Sequence, residues 1–369
     1  MSGRLRKKDN FGIPGNYWRR AFTAVLLSAA AILTGCPKNG PKTVVRDRFD
    51  YNSAIGDSLK DQMLMNIVKL RYLDMPVFVE VAQIINGYEF QGSASVSTSL
   101  LKDVDGDALG AGVSGSYTNR PTITYTPLTS NQYVRGLMTP LPPEVVFFTI
   151  ESGYAADLIM QTTVSSINGL RNDSATEEGG LNRGDADFFK ATALLRVLQQ
   201  AGAVSLFVRV KPDKERVPII SFITENQPPA VLSAVAEIKR LLRLDSNANE
   251  FRLIFGARAA ENTEIALQTR SLIQIMGALA GLVEVPPENA AQAVAVKSSS
   301  PGRPQIFRVT SSEKRPRGAF VAIHYREHWY WIDDRDLKSK RVFALILLLF
   351  SMSDSKAGDN LPVLTIPVN

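Results

Sequence analysis

Apolar and polar positions recur with different periods along the chain, and each change of period marks a change of expected structure. From 52 to 71, Ile55, Leu59, Met63, Ile67 and Leu70 recur at helical spacing, which predicts a long amphipathic helix ending before Pro76. Met63 and Met65 in this stretch read as core filling, because thioether side chains adapt to irregular gaps. Between 87 and 125 the period falls to two. Ser93, Ser95, Ser97 and Ser99 share one face of a strand, and Ala94, Val96, Thr98 and Leu100 share the other. A second stretch alternates Ala111, Val113 and Tyr117 with Gly112, Ser114, Ser116 and Thr118. Together they predict a long β-hairpin with its tip at 102–107.

Helical character returns over 127–172. Pro142-Pro143 suits the first turn of one helix, and 155–167 forms another. An acidic, Gly-rich loop follows at 173–184, after which Asp185 or Asp187 caps a helix running to about Gln200. From 203 onward, strands (204–210, 219–224, 251–255) and helices (230–242, 270–282) alternate. Strands at 307–310, 319–325 and 329–332, a last helix at 337–351 and an edge strand at 362–368 complete the chain. The expected fold is α+β: a helical region, 51–202, carrying the extended hairpin 87–125, then a mixed α/β, sandwich-like region, 203–369.

The first residues do not belong to that fold. Arg4, Arg6, Lys7, Lys8, Arg19 and Arg20 precede an uncharged apolar run, 21–35, in the order of an export signal. The run holds about 15 residues, short of the roughly 20 that a spanning helix needs, so a cleaved signal over 1–35 is expected. Residues 1–35 also carry five of the six formal positive charges. The remainder is close to neutral, which gives no support to nucleic-acid binding. Two prolines, a glycine and several charges without an apolar face make 36–50 a tether.

The chain has one cysteine, so no intrachain disulfide can form despite the export signal. Cys36 instead ends the sequence Leu33-Thr34-Gly35-Cys36, which resembles the lipobox of bacterial lipoproteins in residue types and position. Small residues at 34 and 35 let the backbone enter a peptidase cleft, and the thiol is the nucleophile that takes a diacylglyceryl group. Each buried methylene of an acyl chain contributes about 0.8 kcal/mol, and stable anchoring takes more than one chain. Pro37 rather than Asp follows the cysteine; the resemblance to sorted lipoproteins then implies the outer membrane, facing the periplasm.

Other candidate chemistry is thin. Gly110-Ala111-Gly112-Val113-Ser114-Gly115 matches GxGxxG as a string, but no helix starts inside it to meet a pyrophosphate. Asp103, Asp105 and Asp107 have the alternation of a calcium loop, yet Ala108 stands where glycine is needed and Ser114 where a bidentate glutamate is needed. The two histidines, His324 and His328, lie near Asp333, Asp334 and Asp336. On one straight strand they would sit about 13 Å apart, too far to share a zinc ion. If Arg326-Glu327 is a hairpin turn, His324 pairs with Trp329 and the imidazoles point to different faces. Either way the acidic run reads as a capped strand-to-helix turn.

The stretches YNSAIGDSLKDQMLMNIVKLRY, RPTITYTPLT, SSINGLRN and HWYWIDDRDLKSK are similar to a family of uncharacterised bacterial lipoproteins, over most of the chain after Cys36. The resemblance implies an envelope location and one co-folded unit, and no catalytic role. The reading is a lipid-anchored envelope protein acting as a scaffold or protein-binding component, without cofactor or metal. Its partners are the membrane, through the lipid on Cys36, and envelope proteins, including further copies of itself. The alternatives are a periplasmic hydrolase using His324, His328 and Asp334, and an oligomeric pore in which several subunits each donate hairpin 87–125.

Overall fold

The computed structural model describes residues 40–85, 87–99, 108–175, 181–212, 214–293 and 305–354. The signal segment, Leu33 to Cys36, the hairpin tip with Asp103, Asp105 and Asp107, and the strand expected at 362–368 lie outside the described residues. The fold is α+β, with helices and several separate sheets. The chain divides into two compact units between Gly56 and Asp57.

Helix α1, Gly40–Arg71, opens in the first unit and ends in the second. It starts within the segment expected as a tether, and Pro41 sits in its first turn, where a missing N–H costs nothing. Lys69 and Arg71 lie in the last turn, favourably placed against the negative end of the helix dipole. Leu73, with φ of 57°, reverses the chain, and Asp74 N–H bonds back to Lys69 O at 2.9 Å. Met63, Leu64, Ile67 and Val68 form the buried face, while Leu59, expected there, is exposed. Periodicity defines an apolar stripe, but what packs against the helix decides where the stripe is covered.

The main sheet has the order β6-β5-β12-β11-β10-β9. Its strands are β5 (Val164–Ile167), β6 (Leu170–Arg171), β9 (Val204–Val210), β10 (Arg216–Phe222), β11 (Glu250–Phe255) and β12 (Glu264–Thr269). All neighbours are antiparallel except β11 and β12, which are parallel and joined through 256–263 alone. The sheet therefore draws on both sides of the division expected at 202/203. Four helices contribute to its core: α3 (Pro143–Glu151), α4 (Ala156–Thr163), α5 (Ala186–Gln200) and α6 (Pro229–Leu241). Phe147, Met160, Leu195 and Ile238 from the helices meet Ile220, Phe222 and Ile265 from the strands around one apolar pocket.

The helix expected over 155–167 ends at Thr163, and Val164 begins β5. The β-branched residues Val164 and Ile167 fit a pleated strand better than a helix, whereas Thr162 and Thr163 stay in the helix with their hydroxyls bonded to Leu158 O and Ile159 O. The turn after β5 is held by Asn168 at φ 45°. Its amide donates to Leu242 O at 2.8 Å and Glu264 O at 3.2 Å and accepts from Ala266 N at 2.7 Å. Arg270 plays a similar part after β12, donating to Gln161 O at 3.1 Å, Thr162 O at 3.2 Å and Asp173 O. Burial lowers its pKa to about 10. Ser271 then starts α7 (Leu272–Ala280) with a capping box closed by Gln274.

A second sheet, order β13-β15-β14, is built from Thr310–Ser312, Ala319–Tyr325 and His328–Asp333. Helix α8, Leu337–Asp354, follows it, with Phe343 edge-on to Phe320 at 6.1 Å and Val342 and Ile346 fully buried. Asn168→Ala is expected to lose about 3 kcal/mol, since two buried carbonyls and one N–H lose their partner together. Urea denaturation followed by far-UV circular dichroism measures the loss.

Candidate functional site: a rooted β-ribbon

Between α1 and helix α2 (Asn131–Met138) the chain makes one long antiparallel excursion. Strand β1 (Val79–Ile85) pairs with β4 (Thr122–Pro127), and β2 (Tyr88–Ser99) pairs with β3 (Ala108–Asn119). The two ladders keep one register: Ile85 faces Thr122, Tyr88 faces Asn119, and Arg120 N–H bonds Gly87 O at 3.0 Å between them. The expected hairpin is therefore present, with a stem that the sequence pattern did not reveal. A β-bulge between Val81 and Gln83 interrupts the alternation of β1, which is why period two fails there.

The root is fixed by side-chain amides standing in for a neighbouring strand. Asn66, 1% exposed, donates to Val77 O at 2.8 Å and accepts from Val77 N at 2.9 Å. One helical turn earlier, Gln62 donates to Val79 O at 3.0 Å and accepts from Val79 N at 2.5 Å. On the other side Leu128 N–H bonds Phe78 O at 2.9 Å. Phe78 is buried, stacked on Phe350 at 4.8 Å and edge-on to Tyr133 at 5.9 Å. Polar residues at 62 and 66 on the helix gave the only sequence signal of this clamp, and nothing in the sequence tied them to 77 and 79.

Past the root the ribbon has little to lean on. Among the described residues, no helix or other strand packs substantially against β2 and β3, and every residue of β4 is exposed. Ile85, Ile123 and Tyr125 leave large apolar surface in solvent on the stem. The register of β2 and β3 has no bulge, so the two alternations coincide. Glu89, Gln91, Ser93 and Ser95 face Thr118, Ser116, Ser114 and Gly112, and the Ser93 and Ser114 hydroxyls lie 2.6 Å apart. The intervening positions pair Phe90 with Tyr117, Ala94 with Val113 and Val96 with Ala111. The remaining pairs of this second set, Tyr88 with Asn119, Gly92 with Gly115 and Thr98 with Leu109, leave one face rich in serine and the other mostly apolar or small, with Asn119 and Thr98 as its polar positions.

The other candidate residues do not form a site. Gly110 to Gly115 lie within β3, so GxGxxG is strand throughout. Arg326 and Glu327 have φ of 46° and 66°, the geometry of a two-residue hairpin turn. His324 faces Trp329, as the hairpin alternative required, and rests edge-on to that indole at 5.3 Å in an exposed position. His328 lies on the opposite face with Nε2 2.7 Å from Glu288. Asp334 sits at the far end of β15, paired with Lys340 at 2.5 Å. The three residues of the hydrolase alternative are not brought together, and among the described residues no group of three His, Cys, Asp or Glu side chains converges to hold a metal ion.

Beside this turn lies a cluster that sequence reasoning missed. Tyr72 and Tyr330 hydroxyls are 2.5 Å apart, and Arg326 covers the Tyr72 ring at 4.7 Å. Asp74 takes hydrogen bonds from Tyr325 and from Arg326. Burial first, and the Tyr72 hydroxyl second, push the Tyr330 phenol well above its ordinary range. These contacts join the β14–β15 turn to the end of α1. Comparisons of the chain with protein-family models, curated proteins and solved structures found no match.

The acidic run does what a strand-to-helix turn needs. Asp336 takes the Ser339 N–H at 3.1 Å and its hydroxyl at 2.6 Å, and Asp333 takes the Arg335 N–H at 2.8 Å. Burial acts to raise the Asp336 pKa, but the hydrogen bonds from Ser339 outweigh it and the carboxyl lies below its usual value. A carboxylate depressed in the folded state stabilises above its unfolded pKa, near 3.9, and loses that contribution as pH falls through the folded value. Asp336→Ala is expected to cost about 1 kcal/mol at neutral pH. In urea denaturation, its gap to the native chain should narrow progressively as the buffer is taken below the usual carboxylate range.

Proposed function

We propose that this chain is a lipid-anchored cell-envelope protein, acylated at Cys36 and held at the periplasmic face of the outer membrane, whose work is assembly and not catalysis. The observation that carries the assembly reading is the ribbon: a pair of strands with a fixed root, against whose outer ladder no other helix or strand among the described residues packs substantially. Open ladder edges are templates for further strands, and proteins that remain alone blunt them with lysine, proline or bulges. Strands β2 and β3 contain no lysine, arginine or proline. The anchor reading rests on Leu33, Thr34, Gly35 and Cys36 and on the absence of any second cysteine. No helix among the described residues is long and apolar enough to cross a membrane. The separation of His324, His328 and Asp334 weighs against the hydrolase.

Two measurements test this reading. Cells grown with labelled palmitate should yield a labelled native chain whose mature mass begins at Cys36, and Cys36→Ser should carry no label. A photo-crosslinking residue at Ser93 or Ser114 should join the chain to an envelope protein, whereas one at Lys338, equally exposed on the body, should not. A native chain that takes up no palmitate removes the anchor. Equal capture from ribbon and body removes the assembly role.

A further inference from the structure

The ribbon's register says more than that it binds something. We infer that β2 and β3 are the membrane-inserting hairpin of a homo-oligomeric β-barrel, with copies of this chain pairing edge to edge and the Phe90, Ala94, Val96 face turned to lipid. The inference rests on the envelope reading above and specifies its partner and its medium.

Strand length comes first. Each strand has 12 residues, roughly 40 Å at about 3.3 Å per residue. Tilted by about 40°, as in membrane barrels, that spans roughly 30 Å, the thickness of a bilayer's hydrocarbon core. Face chemistry agrees. Ladder positions alternate between a Ser-rich set and a set of aromatic, aliphatic and small residues that is polar only at Thr98 and Asn119, near its two ends, the alternation expected of lumen and lipid sides. Tyr88, Phe90 and Tyr117 gather at the end nearest the stem, where an aromatic girdle would meet the bilayer interface, and Ala94, Val96 and Val113 follow towards the tip end.

Charge and edges select the occupant. Glu89 is the sole charged residue of the two strands, at the aromatic end and on the polar face. A hydrocarbon slab tolerates no charge on the lipid side, and this face offers none. In the bilayer every backbone N–H and C=O must be paired, so the outer edges of β2 and β3 cannot remain open there. Copies inserted in the same direction meet this demand for one another. The β3 edge of one copy lies antiparallel to the β2 edge of the next, at equal length and with no like charges in opposition, so the ladder continues and the polar face stays continuous around the ring. Membrane barrels of this kind have eight strands or more, which sets about four copies as the minimum.

The stem agrees with this arrangement. Arg120 and Pro121 end the uncharged stretch just outside the aromatic positions, and β1–β4 joins the inserted ladder to a root fixed by Asn66, Gln62 and Phe78. An isolated two-stranded ribbon is at best marginally stable in water, so the fold gains from neighbours on both edges.

The test uses the full chain in a Cys36→Ser background, so that the lipid anchor plays no part. Val96→Cys and Ser95→Cys are each labelled with an environment-sensitive fluorophore and added to phosphatidylethanolamine/phosphatidylglycerol vesicles. Val96→Cys should shift to shorter wavelength with a several-fold gain in intensity, Ser95→Cys should remain water-like, and the detergent-extracted protein should have the mass of four copies or more. Val96→Arg should abolish release of an entrapped dye, and Ser95→Arg should not, with both keeping the thermal transition of the body. Water-like emission from both sites, a blue shift without vesicles, or a monomer in detergent overturns the inference. A failure of palmitate labelling would leave these readouts untouched and remove the anchor alone.

Discussion

A backbone amide or carbonyl removed from water must find a partner, and most of the unusual features of this chain are answers to that demand. Asn66 and Gln62 present a carboxamide each to the backbone of 77 and 79, so a helix side does the work of a strand. Asn168 closes the β5–β6 turn in the same way, and Arg270 gathers three carbonyls that converge on one buried spot. Where the chain supplies a partner the structure is closed. Along the ribbon's outer ladder, β2 and β3, the described residues supply no third strand.

The root of the ribbon is held on several sides. Phe78 is locked between Phe350 and Tyr133, and the amides of α1 grip the two residues on either side of it. Bending at this point would break paired buried hydrogen bonds. In the stem beyond it β4 is exposed throughout and β1 is partly half-buried, and among the described residues no other helix or strand packs substantially against the outer ladder. A fixed base and an outer ladder with one charged residue, Glu89, are the features on which the proposed assembly role rests.

Much of the architecture was legible in the sequence, for reasons that differ by element. Strands near 219, 251, 319 and 329 and the helices after 229 and 337 announced themselves because their buried apolar residues are close neighbours in the chain, and the strand near 204 did so by apolar content alone, since none of its residues is buried. The Arg326-Glu327 turn was one of two stated alternatives, and positive φ at both residues decides for it. β12 was not anticipated, and the helix expected over 155–167 was too long. Both lie where short β-branched runs fit either structure, and the choice falls to pairing between 164–167 and 264–269, a hundred residues apart. The tyrosine cluster around Tyr72 and Tyr330 was invisible for the same reason.

The amino-acid sequence alone determined that an amphipathic hairpin exists, that its strands carry almost no charge, and that a single thiol follows an apolar leader. Each is a property of neighbours in the chain. Only the tertiary structure decided that the two strand alternations fall in phase, that a stem extends the hairpin to Val79 and Pro127, and that among the described residues no other helix or strand packs substantially against its outer part. A shift of one residue would have set serines opposite valines and erased both faces, because side chains alternate strictly along a strand. Register depends on which backbone groups bond across the turn, and that is a fact of three dimensions.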